Sequence, residues 1–153
     1  MGDHAQLRRA EPSDYDRIID VVDDWWGRPV RSVLPRLFLD HFHRTSFVAE
    51  DRGELTGFLI GFLSGSDDES AYVHFAGVAP RARGGGLARR LYEHFFDLVG
   101  GAGRVRVRAI TTPHNHGSIA FHRALGFAVR GPIPDHNGPG ADRVLFSREV
   151  RAT

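Results

Sequence analysis

The chain has 153 residues, 41% hydrophobic and 25% charged, which is the make-up of one ordinary globular domain. Its 20 basic and 19 acidic side chains leave a net charge of +1, which argues against a strongly basic nucleic-acid binder. All the basic residues are arginine and cysteine is absent, so a disulfide framework, a thiolate nucleophile or metal site, Schiff-base chemistry and the lysine of a P-loop are excluded together.

Residues 6–9 read as a short strand. Pro12 and Ser13 then open a helix in which Tyr15, Ile18, Ile19, Val22, Trp25 and Trp26 keep the three-four spacing of one buried stripe; Gly27 and Pro29 stop it. Ser32 is placed to cap a second helix, with Pro35 in its first turn and Leu34, Leu37, Phe38 and His41 on one face. Residues 46–49 and 55–63 predict a hairpin across the polar turn Glu50-Asp51-Arg52-Gly53. After the acidic turn Asp67, Asp68, Glu69, residues 71–78 alternate as a strand with Tyr72, His74, Ala76 and Val78 on one face. From about residue 86 to 99, Leu87, Leu91, Phe95, Leu98 and Val99 form the clearest helical stripe of the chain. Residues 104–110 alternate like a strand, 115–125 read as helical, and 127–130 with 143–149 form a last strand pair across a Gly/Pro loop. The order describes a single α/β (α+β) domain over residues 1–153, without internal repeats. No apolar run approaches the roughly 20 residues of a membrane span, and the first residues lack an apolar signal core, so a cytoplasmic protein that meets no membrane is expected.

The segment from Val78 to Ala88, VAPRARGGGLA, joins a buried strand to an amphipathic helix. Glycines there let successive backbone N–H groups turn toward one point, and the helix start adds partial positive charge, which makes an anion cradle. Arg81 and Arg83 can add charge-assisted contacts to a diphosphate. The bland alternative is a flexible connection. The segment is no dinucleotide fingerprint, because Arg89 stands where G-x-G-x-x-G needs its last glycine.

Val78-x-Pro80 followed by Arg83-Gly84-Gly85-Gly86-Leu87-Ala88 resembles the acetyl-CoA-binding motif R/Q-x-x-G-x-G/A of the GNAT (Gcn5-related) N-acetyltransferases. A second block, Asn115-x-x-Ser118-x-x-Phe121-His122-x-x-x-Gly126-Phe127, is similar to that family's later motif at the same spacing. The resemblance implies a central mixed, splayed sheet flanked by helices, and transfer of acetyl from acetyl-CoA directly to an amine in a ternary complex. It assigns Ala76 and Val78 to main-chain contacts with the pantetheine arm and thioester. Arg83, Gly84, Gly86 and Ala88 fall to the pyrophosphate and Asn115 to the coenzyme arm, with Arg81, Gly85, Leu87 and Ser118 as further candidates for coenzyme binding. A backbone N–H of the fourth strand would polarise the thioester carbonyl.

His122 stands where the family often has the tyrosine that protonates the departing thiolate, so it is either the acid or a packed side chain. His74 is the candidate base, with Tyr72 or a water relay as its substitutes and a core histidine as the plain reading. Trp25 and Trp26 are either core or lining of an acceptor cleft. His114 and His116 have no carboxylate or cysteine nearby, so no metal is expected. The loop 132–142 is a surface connection or a mobile acceptor lid. Two rival readings are a catalytically weak acyl-CoA sensor of the same fold and a histidine metallohydrolase. The acceptor is not named by any residue, and homodimers, common in the family, have no interface marked in the sequence.

Overall fold

The two periodicities become, in the computed structural model, seven strands and four α-helices among the described residues, 4–153. They are β1 (Gln6–Arg9), α1 (Asp14–Trp26), α2 (Leu37–Phe42), β2 (Phe47–Asp51), β3 (Glu54–Leu63), β4 (Ser70–Val78), α3 (Leu87–Gly101), β5 (Arg106–Thr111), α4 (His116–Ala124), β6 (Ala128–Ile133) and β7 (Arg143–Glu149). The chain divides into two compact units, one reaching residue 62 and including 73–98, the other comprising 63–72 and 99–153.

In the first unit the strand order is β1-β2-β3-β4, with β1–β2 and β2–β3 antiparallel. The hairpin turns at Arg52 and Gly53, both at positive φ (55° and 82°), the backbone of a tight two-residue turn whose twist matches that of the strands. The stripe of α1 does what its spacing predicts: Ile18, Val22 and Trp25 enter a core with Leu34, Leu39, Val48, Phe58 and Ile60. The helix ends where Gly27, at φ 71°, donates its N–H to the Asp23 carbonyl. At the other end of α1, the buried Asp14 carboxylate accepts hydrogen bonds from the two terminal nitrogens of the Arg8 guanidinium, each at 2.9 Å, and from the Glu11 N–H at 2.7 Å. Burial pushes that carboxyl up, yet these hydrogen bonds and the charges of Arg8 and Arg17 outweigh it and hold it below the usual carboxylate range. Leu87, Leu91 and Phe95 bury the inner face of α3. Gly57 permits that approach, since a Cβ there would lie 3.2 Å from both the Leu87 and Leu91 side chains.

In the second unit β4 starts parallel to β5, with Ser70 opposite Arg106, and β5 and β6 each pair antiparallel with β7. Val107, Ala109, Phe127, Val144 and Phe146 are among its buried apolar residues, and His122 is buried with them.

Two predicted elements are displaced. The second helix is shorter and later than the Ser32 cap implied: residues Arg31–Val33 form one 3-10 turn, and α2 begins beyond Pro35. The reason is Asp23, whose carboxylate accepts the N–H groups of Val30 (2.8 Å) and Arg31 (3.2 Å) and so shapes the chain before a helix can start. The buried face shifts with it. Leu34 and Leu39 are buried, whereas Leu37 is 49% exposed and His41 is on the surface. The strand expected from residue 104 begins at Arg106, because one Arg104 guanidinium nitrogen is bonded to the carbonyls of Ser64, Asp67 and Ser70 and clamps the preceding loop.

Candidate active site

Within the first unit the second half of β4 feeds directly into the glycine segment. Its two faces differ. Phe75 and Gly77 point into the aromatic packing of α1: the Trp26 and Phe75 rings stack at 4.6 Å, and both lie near Phe58. His74, Ala76 and Val78 take the opposite, half-buried face.

After β4, Pro80–Ala82 make a short 3-10 turn and the chain opens at Gly84 (φ 87°) and Gly86 (φ 83°) before α3 starts. Only glycine takes such angles without strain. A Cβ on either residue would find no atom within 4 Å, so the backbone there borders open space. The first N–H groups of α3 have no carbonyl behind them in the helix, since the ladder begins with Arg90 N–H to Gly86 C=O at 3.0 Å. A helix start that opens from such a loop, with the helix dipole behind it, suits a phosphate.

The side chains around the loop are used otherwise. Arg83 donates to the Trp25 carbonyl at 2.8 Å and to the Val78 carbonyl at 3.3 Å, tying the end of α1 to the end of β4. Arg81 reaches Glu54 at 3.1 Å and the Leu55 carbonyl. Leu87 is buried and Ala88 half-buried, so these two serve through backbone and size. Gly85 is exposed with ordinary φ. In this structure Arg81 and Arg83 brace the frame around the loop.

His74 is half-buried. Its Nε2 lies 2.6 Å from the Val33 carbonyl, and its ring stacks on Phe38 at 3.9 Å with planes 2° apart. Burial lowers its basicity, partly countered by the Val33 hydrogen bond. Trp25 is buried in the core and Trp26 is packed beside it, both on Phe58. Phe38, the Val33 carbonyl and Asp23 were not expected near a functional group. The signal for Asp23 was present as an Asx-type acceptor just before the Gly27–Pro29 break.

The second unit carries the other assigned residues. Asn115 caps α4, its side-chain oxygen accepting the Ser118 N–H at 3.1 Å. His122 is 5% exposed and lies flat on Phe146 at 4.0 Å, with its Nδ1 donating to the Ser118 carbonyl at 2.7 Å. Burial lowers its pKa against that hydrogen bond. Tyr72 is half-buried, and desolvation pushes its phenol up. Among the described residues no group of three or more His, Asp or Glu is arranged to hold a metal ion, and no helix is long and apolar enough to cross a membrane.

The geometry has close relatives. A diaminobutyrate acetyltransferase from Paenibacillus lautus, solved with its substrate L-2,4-diaminobutyric acid and coenzyme A, matches with a TM-score of 0.76 at 21% identity, over 99% of this chain and 98% of that one. An acetyltransferase of the GNAT family from Desulfovibrio desulfuricans matches with a TM-score of 0.82 at 18% identity, over 95% and 98%. By sequence, the L-2,4-diaminobutyric acid acetyltransferase of Vibrio parahaemolyticus is 28% identical over 120 residues, which is 78% of this chain and 66% of that relative. The chain thus spans slightly less than two thirds of that curated relative. The profile of the acetyltransferase (GNAT) family matches residues 11–127, running through both units and the whole glycine segment, and the chain belongs to that family.

Proposed function

We propose that the chain transfers acetyl from acetyl-CoA directly to a primary amine, and that its acceptor is a small diamino acid of the 2,4-diaminobutyrate kind. The observation that carries the coenzyme half is the pair Gly84 and Gly86, both at positive φ with open space at their Cβ positions, between β4 and the start of α3. The acceptor class rests on the likeness to the diaminobutyric acid acetyltransferases.

In this reading the pyrophosphate meets the backbone of Gly84–Ala88, and the main chain at Ala76 and Val78 holds the arm and thioester, as a peptide adds to a strand. His74 takes the proton of the acceptor ammonium. Asn115 and Ser118 belong to the coenzyme contacts. The surroundings of His122 favour its packing role: a buried ring that resists protonation is a poor acid near neutral pH, so the thiolate takes its proton from water. The absence of cysteine and lysine supports direct attack over a covalent acetyl-enzyme. Holding both substrates in line is worth up to roughly 7–11 kcal/mol of barrier.

The test is release of free coenzyme A thiol by the purified chain with acetyl-CoA and a panel of amines: L-2,4-diaminobutyrate, ornithine, lysine, a peptide N-terminus and an aliphatic monoamine. Amine-dependent release, greatest for diaminobutyrate and with intersecting double-reciprocal lines, is expected. Release with the peptide alone would overturn the acceptor class, and binding of acetyl-CoA without release for any amine would favour the sensor reading.

A further inference from the structure

The surroundings of His74 are more specific than a half-buried histidine needs. Its Nε2 sits 2.6 Å from a carbonyl oxygen, which has only lone pairs to offer, so Nε2 must carry the hydrogen. The neutral ring then holds its lone pair on Nδ1. A phenyl ring at 3.9 Å, parallel within 2°, blocks one face and opposes rotation about the ring bond. The two supports come from different elements, the Arg31–Val33 turn and α2. The turn is itself fixed, because Asp23 Oδ1 accepts the Val30 and Arg31 N–H groups and its Oδ2 lies 3.5 Å from the Arg31 guanidinium. Val33, 40% exposed, is held by its N–H to the Val30 carbonyl at 2.9 Å. A chain of contacts runs from Asp23 through the turn to the Val33 carbonyl and the His74 ring.

We infer that the Val33 carbonyl and the Phe38 ring are positioning groups that hold His74 in its Nε2-protonated tautomer, so that Nδ1 is the atom that takes the acceptor's proton. This rests on the proposed amine acetylation. An N–H bond of the ammonium breaks and its proton goes to Nδ1; the freed nitrogen pair attacks the thioester carbon, and the nitrogen, now positive, loses a second proton to water so that a neutral amide can form. The C–S bond then breaks with its electron pair on sulfur. The proton on Nδ1 leaves to water, and the thiolate takes one from water, restoring the neutral ring. During the charged interval Nε2–H still faces the Val33 carbonyl, and a charged donor makes the stronger hydrogen bond, so the same contact that sets the tautomer also steadies the imidazolium. Among the described residues the partner of Nε2 is this carbonyl and not a carboxylate. The charged groups on the packed elements are Arg31, directed to Asp23; Arg36, directed to Asp16; and Asp40 and His41, both exposed.

The tautomer is read by long-range proton–nitrogen NMR of ¹⁵N-histidine protein at alkaline pH, with the His74 signals identified by their loss in His74→Gln. Nε2 protonated and Nδ1 bare is the expected pattern; the reverse pattern overturns the inference. This readout needs no turnover, so it stands apart from the acetylation assay, and a failure of that assay alone would leave the tautomer result legible. For positioning, Phe38→Leu should mix the tautomers, lower kcat about tenfold to a hundredfold with KM for acetyl-CoA unchanged, and displace the acid limb of the pH–rate profile, while Phe38→Tyr keeps the stack and restores all three. Asp23→Asn, which retains the Oδ1 acceptor, should behave as wild type where Asp23→Ala resembles Phe38→Leu. A folded Phe38→Leu and Asp23→Ala pair with wild-type kcat, pH profile and tautomer would refute the positioning role.

Discussion

Gly77 lies between the two β4 residues assigned to the coenzyme, and its missing side chain is filled by Trp26. A Cβ there would sit 2.8 Å from Trp26 Cζ3, inside any real contact distance, and 3.2 Å from Phe58 Cζ. Trp26 cannot step aside freely, because it is stacked on Phe75 at 4.6 Å and lies 6.1 Å from Phe58. Gly77→Ala is therefore an overpacking change, which typically costs about 1–3 kcal/mol. Against it stands the lower backbone entropy of alanine in the unfolded chain, worth about 0.5–1 kcal/mol. The net expectation is a loss of about 1–2 kcal/mol, seen as a lower urea midpoint at unchanged slope. The cause is separable from the effect. In a Trp26→Leu background the obstruction is gone, so adding Gly77→Ala should stabilise by the entropic amount, a reversal of sign measured by the double-mutant cycle. Acetyl-CoA affinity should fall in the single mutant and recover in the double. Equal destabilisation in both backgrounds would show that the indole is not what occupies the glycine's space.

Gly86→Val should cost about 1 kcal/mol of stability through its φ of 83° and weaken acetyl-CoA binding at least tenfold, about 1.4 kcal/mol, by calorimetry on folded protein, while the unstrained Gly85→Ala leaves stability unchanged; wild-type affinity for Gly86→Val would remove the loop from the site. Thr56 is buried with no hydrogen-bond partner for Oγ1, so Thr56→Val should raise stability by about 1 kcal/mol in urea unfolding, and a loss would reveal a partner. His122 is held neutral by burial, with its pKa below the ordinary 6.5, so between those two values the unfolded chain binds a proton that the folded chain refuses. Stability should rise with pH across that window, and so be lost as pH is lowered through it, by up to about 1.4 kcal/mol per unit, and His122→Phe should flatten the slope; an identical slope in the variant would contradict the burial argument.

Legibility in the sequence followed the range of the forces involved. The stripe of α1 and the run Leu87, Leu91, Phe95 were readable because a helix that buries one face must repeat its apolar residues on that face. The glycine segment was readable for a local reason too: positive φ at Gly84 and Gly86 is a property of those residues and needs no distant partner. What could not be read depends on contacts far apart in sequence. The partners of the two motif arginines are an instance: Arg83 reaches Trp25, 58 residues away, and Arg81 reaches Glu54, 27 away. His122 is another, its role as acid or packed ring addressed only by the parallel face of Phe146.

Residues 30–42 show how one polar contact can defeat a sound local reading. Leu34, Leu37, Phe38 and His41 have helical spacing, and Ser32 is a good cap, so propensity favours a helix from about residue 33. Asp23 defeats it by accepting the Val30 and Arg31 N–H groups at 2.8 and 3.2 Å, and the 3-10 turn that follows delays the helix to Leu37. Leu39 rather than Leu37 then enters the core, and Phe38 turns to His74. The residues that set the chemistry of β4's one titratable imidazole are thus specified by a carboxylate on another helix. Substitutions in this short segment should alter the acceptor and the pH dependence together, while the coenzyme loop, built from local backbone preferences, stays as it is.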